Sequence, residues 1–160
     1  LFISELTTER LVLRPWPAEE AAAVVAGERR PHWAADFPAD GERVIAGIIA
    51  GNPDRPHGHR LIIERETGLT VGGIGMFLPP TDGAVEFGYG IVESRRCRGY
   101  VTEAVRALVA DTRTLPGVTR VFATVDPANI ASVRVLEKAG LRRDGTVDSD
   151  EGLLHRYVAG

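Results

Sequence analysis

The chain has 160 residues, 44% hydrophobic and 26% charged, which is the size of one ordinary domain with enough apolar mass for a core and excludes a disordered class. Its 19 basic and 22 acidic side chains leave a net charge of -3, so no general case for nucleic-acid binding exists. The single cysteine, Cys97, excludes an internal disulfide framework and a Cys-rich zinc site.

No apolar run approaches the ~20 residues that span a bilayer, and Leu1 to Arg10 lacks the basic-then-apolar order of a signal peptide. The expectation is one cytoplasmic domain over residues 1–160, with no membrane or nucleic-acid partner.

Leu6 to Arg14 carries Leu11, Val12 and Leu13 in a short run closed by Pro15 and Pro17, the pattern of a first strand. Ala18 to Glu28, rich in Ala with Glu in its first turn, predicts a helix. Between Arg30 and Asp40 the pattern dissolves into Pro31, His32, Trp33, Asp36, Phe37 and Pro38. Aromatics in such a loop point to a contact surface or to a cover over the core. A second helix is expected at about Gly41 to Ala50, and Gly51 to Gly58 forms a turn cluster.

His59 to Arg65, Thr70 to Leu78 and Ala84 to Val92 then read as three strands in an antiparallel meander. Gly72-Gly73-Ile74-Gly75 lies inside the second and precedes Met76-Phe77-Leu78, not a helix, so it lacks the setting of a dinucleotide loop and signals a bulge. From Gly99 to Thr112, Val101, Ala104, Val105, Leu108 and Val109 recur on one helical face. Thr119 to Val125 predicts a buried strand, and Pro127 to Ala139 a helix stopped by Gly140. A short strand at Leu141 to Asp144, an acidic turn at Asp148 to Glu151 and a last strand at Leu153 to Val158 follow. This order predicts an α+β fold with a mixed sheet.

The densest chemistry lies where Val85 to Val92 leads through the basic loop Glu93-Ser94-Arg95-Arg96-Cys97-Arg98 into a helix beginning at Gly99-Tyr100-Val101-Thr102. A helix start leaves its first N–H groups without internal partners and carries the positive end of the dipole, a ready seat for a phosphate. Arg96 and Arg98 add charge, and Gly99 permits close backbone approach and positive φ. From charge alone the arginines read first as a solvated surface or a nucleic-acid patch. Their place between a strand and a helix start favours a diphosphate.

Arg96-Cys97-Arg98-Gly99-Tyr100-Val101 resembles the acetyl-coenzyme A signature of the GNAT acetyltransferase superfamily: Gln or Arg, two variable residues, Gly, one variable residue, then Gly or Ala. The likeness continues through Thr102-Glu103-Ala104 and through Asp126 to Leu141, which is similar to the family's Asn-containing helix with a Lys-x-Gly-hydrophobic ending. Thr8-Glu9-Arg10-Leu11-Val12-Leu13-Arg14 resembles the first strand of the branch that includes ribosomal-protein N-terminal acetyltransferases. Cys97 stands where many relatives carry Gly, and Val101 where Gly or Ala is usual.

The resemblance implies a three-layer α/β/α architecture: a mostly antiparallel sheet of about seven strands, flanked by about four helices and splayed between the strand ending at Val92 and Thr119 to Val125. It implies acetyl-coenzyme A as co-substrate, its pantetheine arm on backbone groups of Gly90, Ile91 and Val92. The diphosphate would lie on Arg96, Cys97, Arg98, Gly99, Tyr100, Val101 and Thr102. Asn129 and Ser132 would stand near the pantetheine and thiol end, although by residue type alone Asn129 reads as a helix cap and Ser132 as a packing or capping residue.

Acetyl transfer needs a neutral amine, a route for its proton, donors for the developing oxyanion and an acid for the leaving thiolate. Glu86 is the expected base, through water, with the N–H of Ile91 or Val92 on the carbonyl oxygen. Glu86 lies five residues before Ile91, so its side chain points to the opposite face unless a bulge intervenes. The family's usual Tyr acid, seven residues after the Asn, is Leu136 here; the resemblance to the ribosomal-protein branch implies Ser132 as the thiolate donor, with a packing or capping role as the alternative.

Cys97 occupies a variable motif position, away from the acetyl carbon. His32, His57, His59 and His155 have no Cys partners and no metal-ligand spacing, so they read as loop or strand-surface residues and no metal is expected. Two functions are in view: an N-acetyltransferase acting on a primary amine of a small molecule or a protein N-terminus by direct attack, and a non-catalytic acetyl-coenzyme A sensor or scaffold. The acceptor pocket would be built from Trp33 to Pro38, the loop after Asn52 and the hairpin near His155; monomer and homodimer both fit.

Overall fold

The computed structural model describes residues 3–159; Leu1, Phe2 and Gly160 lie outside them. Strands β1 (Leu6–Thr7), β2 (Leu11–Pro15), β3 (Gly58–Glu64), β4 (Thr70–Thr81), β5 (Ala84–Ile91), β6 (Arg120–Val125), β7 (Leu141–Ser149) and β8 (Gly152–Ala159) form one sheet in the order β1-β2-β3-β4-β5-β6-β8-β7. Helices are α1 (Ala18–Val25), α2 (Asp40–Gly51), α3 (Tyr100–Thr112) and α4 (Ile130–Lys138). Neighbours pair antiparallel except β5 and β6, which run parallel because α3 supplies the crossover between them.

The expected meander is β3, β4 and β5, and the four helices fall where periodicity placed them. The expected first strand is two. Thr8 N–H donates to the Leu11 carbonyl at 2.9 Å and Thr8 Oγ1 accepts from Leu11 N–H at 3.0 Å, so the chain folds back and sets Leu6 opposite Leu13. Helix α1 stops short of Glu28. Gly27 takes φ +74°, its N–H donates to the Val24 carbonyl, and Glu28 N–H donates to the Ala23 carbonyl, which closes a Schellman motif. Strand β7 runs on to Ser149, narrowing the acidic turn to Asp150 and Glu151. The bulge falls beside the glycine run: Ile62 opposes Gly72 and Ile63 opposes Thr70, leaving Val71 extra.

Strand alternation sorts the layers. Met76 Sδ accepts from Thr112 of α3, and Tyr89 meets Ser132 of α4, whereas Gly73 and Gly90, of opposite parity, face Glu42 of α2. One helix pair therefore covers each face. Leu11, Leu13, Leu61, Val71, Val85, Leu108 and Leu136 are fully enclosed between them.

The aromatic loop is a cover and not a contact surface. Trp33 and Phe37 are 3% and 0% exposed, with ring centroids 5.5 Å apart, and Phe37 lies 6.3 Å from Trp16. His59, expected at a strand surface, is buried, because β3 is inner and covered on both faces. No described helix is long and apolar enough to cross a membrane.

Candidate active site

Pairing of β5 with β6 covers only Ala84 to Glu86 against Arg120 to Phe122, while β6 pairs with β8 from Phe122 to Val125. From Phe87 onward β5 is paired on the β4 side alone. The sheet is parted along this seam. Val92 N–H donates to the Val71 carbonyl at 2.9 Å. Antiparallel pairing alternates residues that direct both backbone groups at the partner with residues that direct both away. Counted back from Val92, Gly90 addresses β4, and Tyr89 and Ile91 turn N–H and C=O into the seam. Of the two expected oxyanion donors, Val92 N–H is thus engaged with β4, and Ile91 N–H is turned into the seam.

After a 3₁₀ turn at Glu93–Arg95, Cys97 and Gly99 adopt φ of 63° and 79°, and α3 starts with Gly99 as its N-cap. Glycine has no side chain to satisfy the first N–H groups of α3, so these stay available to a ligand. The left-handed φ at Cys97 also accounts for the Gly usual at that position.

A buried carboxylate shapes this loop. Glu64, 1% exposed at the end of β3, accepts from Thr67 Oγ1 at 2.7 Å, Tyr100 OH at 2.8 Å and Arg95 Nε at 3.1 Å, with Arg98 Nη1 at 3.7 Å. Burial alone would raise its pKa; the donors outweigh burial and hold it below the usual carboxylate range. Arg10 braces the loop from outside, donating to Glu103 Oε1 and to the Arg98 carbonyl, both at 2.8 Å, with its guanidinium 4.7 Å from the Tyr100 ring centre. Arg96 is exposed.

At the far side of the seam, Asn129 caps α4, its Oδ1 accepting Ser132 N–H at 3.2 Å. Ser132 Oγ lies 2.6 Å from Tyr89 OH, joining α4 to β5. Burial raises the Tyr89 phenol above its ordinary pKa, with the Ser132 hydrogen bond acting against it, so the hydroxyl stays protonated at neutral pH. Leu136 packs fully buried in the core.

Register between β4 and β5 is continuous from Glu86 to Ile91, so Glu86 faces away from the Ile91 side chain, and its Oε2 accepts from Thr124 Oγ1 at 2.8 Å. Five residues of strand put it about 16 Å from Ile91. Glu86 thus stands where the seam begins, its carboxylate held by Thr124 of β6 and some distance along the strand from the Ile91 N–H.

On the α1/α2 face a cavity of about 170 Å³ opens over β4 and β5, and Glu42 of α2 lines it. Among the described residues no cluster of His, Cys, Asp and Glu is arranged to hold a metal ion.

Residues 10–142 match the family model described as an acetyltransferase (GNAT) domain. The chain belongs to the GNAT acetyltransferase family. A curated relative, the uncharacterized N-acetyltransferase YjdG of Bacillus subtilis (strain 168), is 28% identical over 94 residues, 58% of this chain and 56% of that protein. The chain spans about half the length of the curated relatives it matches.

The GNAT fold recurs in solved structures. RimL, a ribosomal L7/L12 alpha-N-protein acetyltransferase in complex with coenzyme A, superposes with a TM-score of 0.71 at 18% identity, covering 96% of this chain and 95% of that one. The aminoglycoside acetyltransferase AAC(6′)-Ib in complex with coenzyme A and kanamycin gives 0.66 at 24% identity, covering 92% and 93%. At these identities the likeness is one of fold.

In this GNAT chain the expected loop from Arg96 to Thr102 does join β5 to α3, and Ser132 does lie beside β5; the sequence assigned no role to Glu42, Glu64 or Tyr89 and placed Arg10 only in the first strand. Glu64 carried the one usable signal, a carboxylate at the end of the apolar run Leu61-Ile62-Ile63. Tyr89 looks like any strand aromatic until α4 is packed against it.

Proposed function

We propose that this domain transfers the acetyl group of acetyl-coenzyme A to a primary amine by direct attack in a ternary complex. The parted β5–β6 seam carries the reading, with Ile91 N–H turned into it and an uncapped helix start beside it. The residues present fit the co-substrate. Backbone groups of Tyr89 and Ile91 offer a pantetheine arm the pairing of a missing strand, and the amides of Arg98 to Thr102, with Arg96 and Arg98 nearby, offer the diphosphate an anion seat. Glu64 and Arg10 brace the loop that forms that seat.

Bound acetyl-coenzyme A supplies an activated thioester. Ile91 N–H then holds the carbonyl oxygen as charge develops on it. Ser132 Oγ, backed by the protonated Tyr89 hydroxyl at 2.6 Å, delivers a proton to the departing thiolate. The coenzyme A complexes of RimL and AAC(6′)-Ib, which share the fold, support the choice of donor.

Free thiol release from acetyl-coenzyme A, followed against a panel of amines and peptides, tests the proposal. Release should require an amine, and Ser132→Ala should lower kcat about 100-fold while leaving KM for acetyl-coenzyme A nearly unchanged. Calorimetric binding of acetyl-coenzyme A with no thiol release across the panel would instead identify a non-catalytic sensor or scaffold.

A further inference from the structure

We infer that the cavity between α2 and the β4–β5 strands is the acceptor site, that it takes a primary amine on an unbranched, uncharged carbon chain, and that Glu42 receives the ammonium proton. The inference rests on the acetyltransfer proposed above.

Glu42 is 4% exposed, lines the cavity, and its Oε1 has no hydrogen-bond partner. A buried carboxylate oxygen without a donor is destabilising, and an ammonium group is the ligand that satisfies both its charge and its geometry. Beneath it the sheet is bare, because Gly73 pairs with Gly90; at the next glycine pair, Gly75 with Gly88, the side chains of His59 and Phe77 lie over the strands. A methyl group on Gly90 would lie 3.5 Å from Glu42 Oε2. Gly90 immediately precedes Ile91, so the carboxylate stands over the part of β5 whose next N–H is turned into the seam. Ser132 and Tyr89 lie on the other face. An amine therefore approaches from the α2 side while the thiolate departs toward α4.

The cavity also limits what enters. Its volume of about 170 Å³ is close to the ~150 Å³ cavity that takes up benzene, room for a chain of about six heavy atoms. Trp16, Ile45 and Phe77 form apolar walls, so a branch beside the nitrogen meets a side chain. Burial, helped by neighbouring His57, holds the His59 imidazole down to about 4, so this wall offers no cation to an acceptor carboxylate.

Around Glu42, burial is the largest influence and raises its pKa; Arg96 from the loop lowers it, and Asp40 on the same helix raises it. The cavity adds only His59 as a further titratable side chain, neutral near pH 7; Tyr89 borders the cavity with its backbone, and its hydroxyl lies on the Ser132 side. A carboxylate poised above its ordinary range is the better base near neutrality.

In the step, the Glu42 carboxylate takes one proton from R–NH₃⁺. The nitrogen lone pair forms the N–C bond to the acetyl carbon as the C–S bond breaks and its electron pair leaves on sulfur. Ser132 Oγ gives its proton to the thiolate and regains one from solvent, the second nitrogen proton is released to solvent, and Glu42 returns its proton there too, so amide, thiol and one net proton result.

The test uses the full chain, n-butylamine, sec-butylamine and γ-aminobutyrate, with Glu42→Gln, Glu86→Gln and Gly73→Ala. A Gly73 methyl has its nearest neighbours at 3.6 Å or more, so that variant keeps the fold while narrowing the floor beneath Glu42. Glu42→Gln should lower kcat/KM for n-butylamine about 100-fold and remove the acid limb of its pH profile. It should also weaken n-butylammonium binding seen by ligand-observed NMR without acetyl-coenzyme A, with acetyl-coenzyme A affinity unaltered. Gly73→Ala should raise KM for the amine about tenfold, and sec-butylamine and γ-aminobutyrate should each react at least about tenfold more slowly than n-butylamine.

A wild-type pH profile in Glu42→Gln, or loss of the limb in Glu86→Gln alone, overturns the role of Glu42 while leaving acetyltransfer intact. Equal rates for the three amines overturn the selectivity. Acetyl-coenzyme A binding without thiol release from any amine brings down both this inference and the proposed function.

Discussion

Cys97 and Gly99 show how narrowly the anion loop is specified. Both hold positive φ, but only glycine does so without steric cost, and a methyl on Gly99 would also lie 3.3 Å from Arg10 Nη2. The left-handed conformation costs an L-residue about 1–2 kcal/mol, roughly tenfold in an equilibrium constant. Gly99→Ala should therefore weaken acetyl-coenzyme A binding about tenfold in calorimetry. An unaltered Kd would remove the loop from cofactor recognition. The loop proposed as an anion seat was legible in the sequence as a basic strand-to-helix connection because its residues are contiguous. Its supports were not: Glu64 reaches Arg95 across 31 positions, and Thr8 reaches Glu103 across 95. Glu42 was likewise unremarkable among surface-type charges on a helix until Gly73 and Gly90, distant in sequence, left space beneath it.

Among the elements, β3 and α3 are fastened by a cation with no exposure at all. Arg60 is 0% exposed; its Nε donates to the Ser4 carbonyl at 2.8 Å, its Nη2 to Asp111 Oδ2 at 3.2 Å, and its Nη1 has no partner. Burial pulls its pKa down and Asp111 pulls it up, so the carboxylate is what keeps this charge tolerable. Asp111→Ala should cost about 3 kcal/mol, seen as a lower urea midpoint at unchanged slope. A loss below about 1 kcal/mol would mean that water replaces the carboxylate. Element order was readable because strand and helix periodicities are local. The exceptions have local causes too: the Thr8 turn split the first strand, and the Asn129 cap starts α4 at Ile130, later than Pro127. Placement of β8 between β6 and β7 left no such trace, because pairing between distant strands is decided by packing.

For the molecule as a whole, the shifted groups set an acid limit. His59 is neutral when folded down to about 4, whereas its unfolded form takes a proton near 6.5, so the unfolded state binds more protons between these values and stability decreases as pH is lowered across that window. Glu64 and Glu103 are depressed because their hydrogen bonds and arginine partners outweigh burial. Their contribution is complete above about pH 4.3 and is lost as pH falls through their folded values. Glu42 is raised and works the other way, since acidification relieves its buried charge. Thermal melting should drop from pH 7 to pH 5, His59→Gln should remove most of that drop, and Glu64→Gln should blunt the further loss below pH 4. A flat melting temperature between pH 7 and pH 5 would contradict the buried, neutral state of His59.

The seam between β5 and β6 opens on both faces of the sheet, and each face carries its own helix pair. For the proposed reaction this makes the sheet a partition with a slot in it, with separate doorways for the two reactants. Neither must leave for the other to arrive. Substitutions in α2 or on the bare glycine floor can then retune the amine without disturbing the opposite layer, where the thiol end is handled. One donor chemistry can stay fixed while its acceptors diversify.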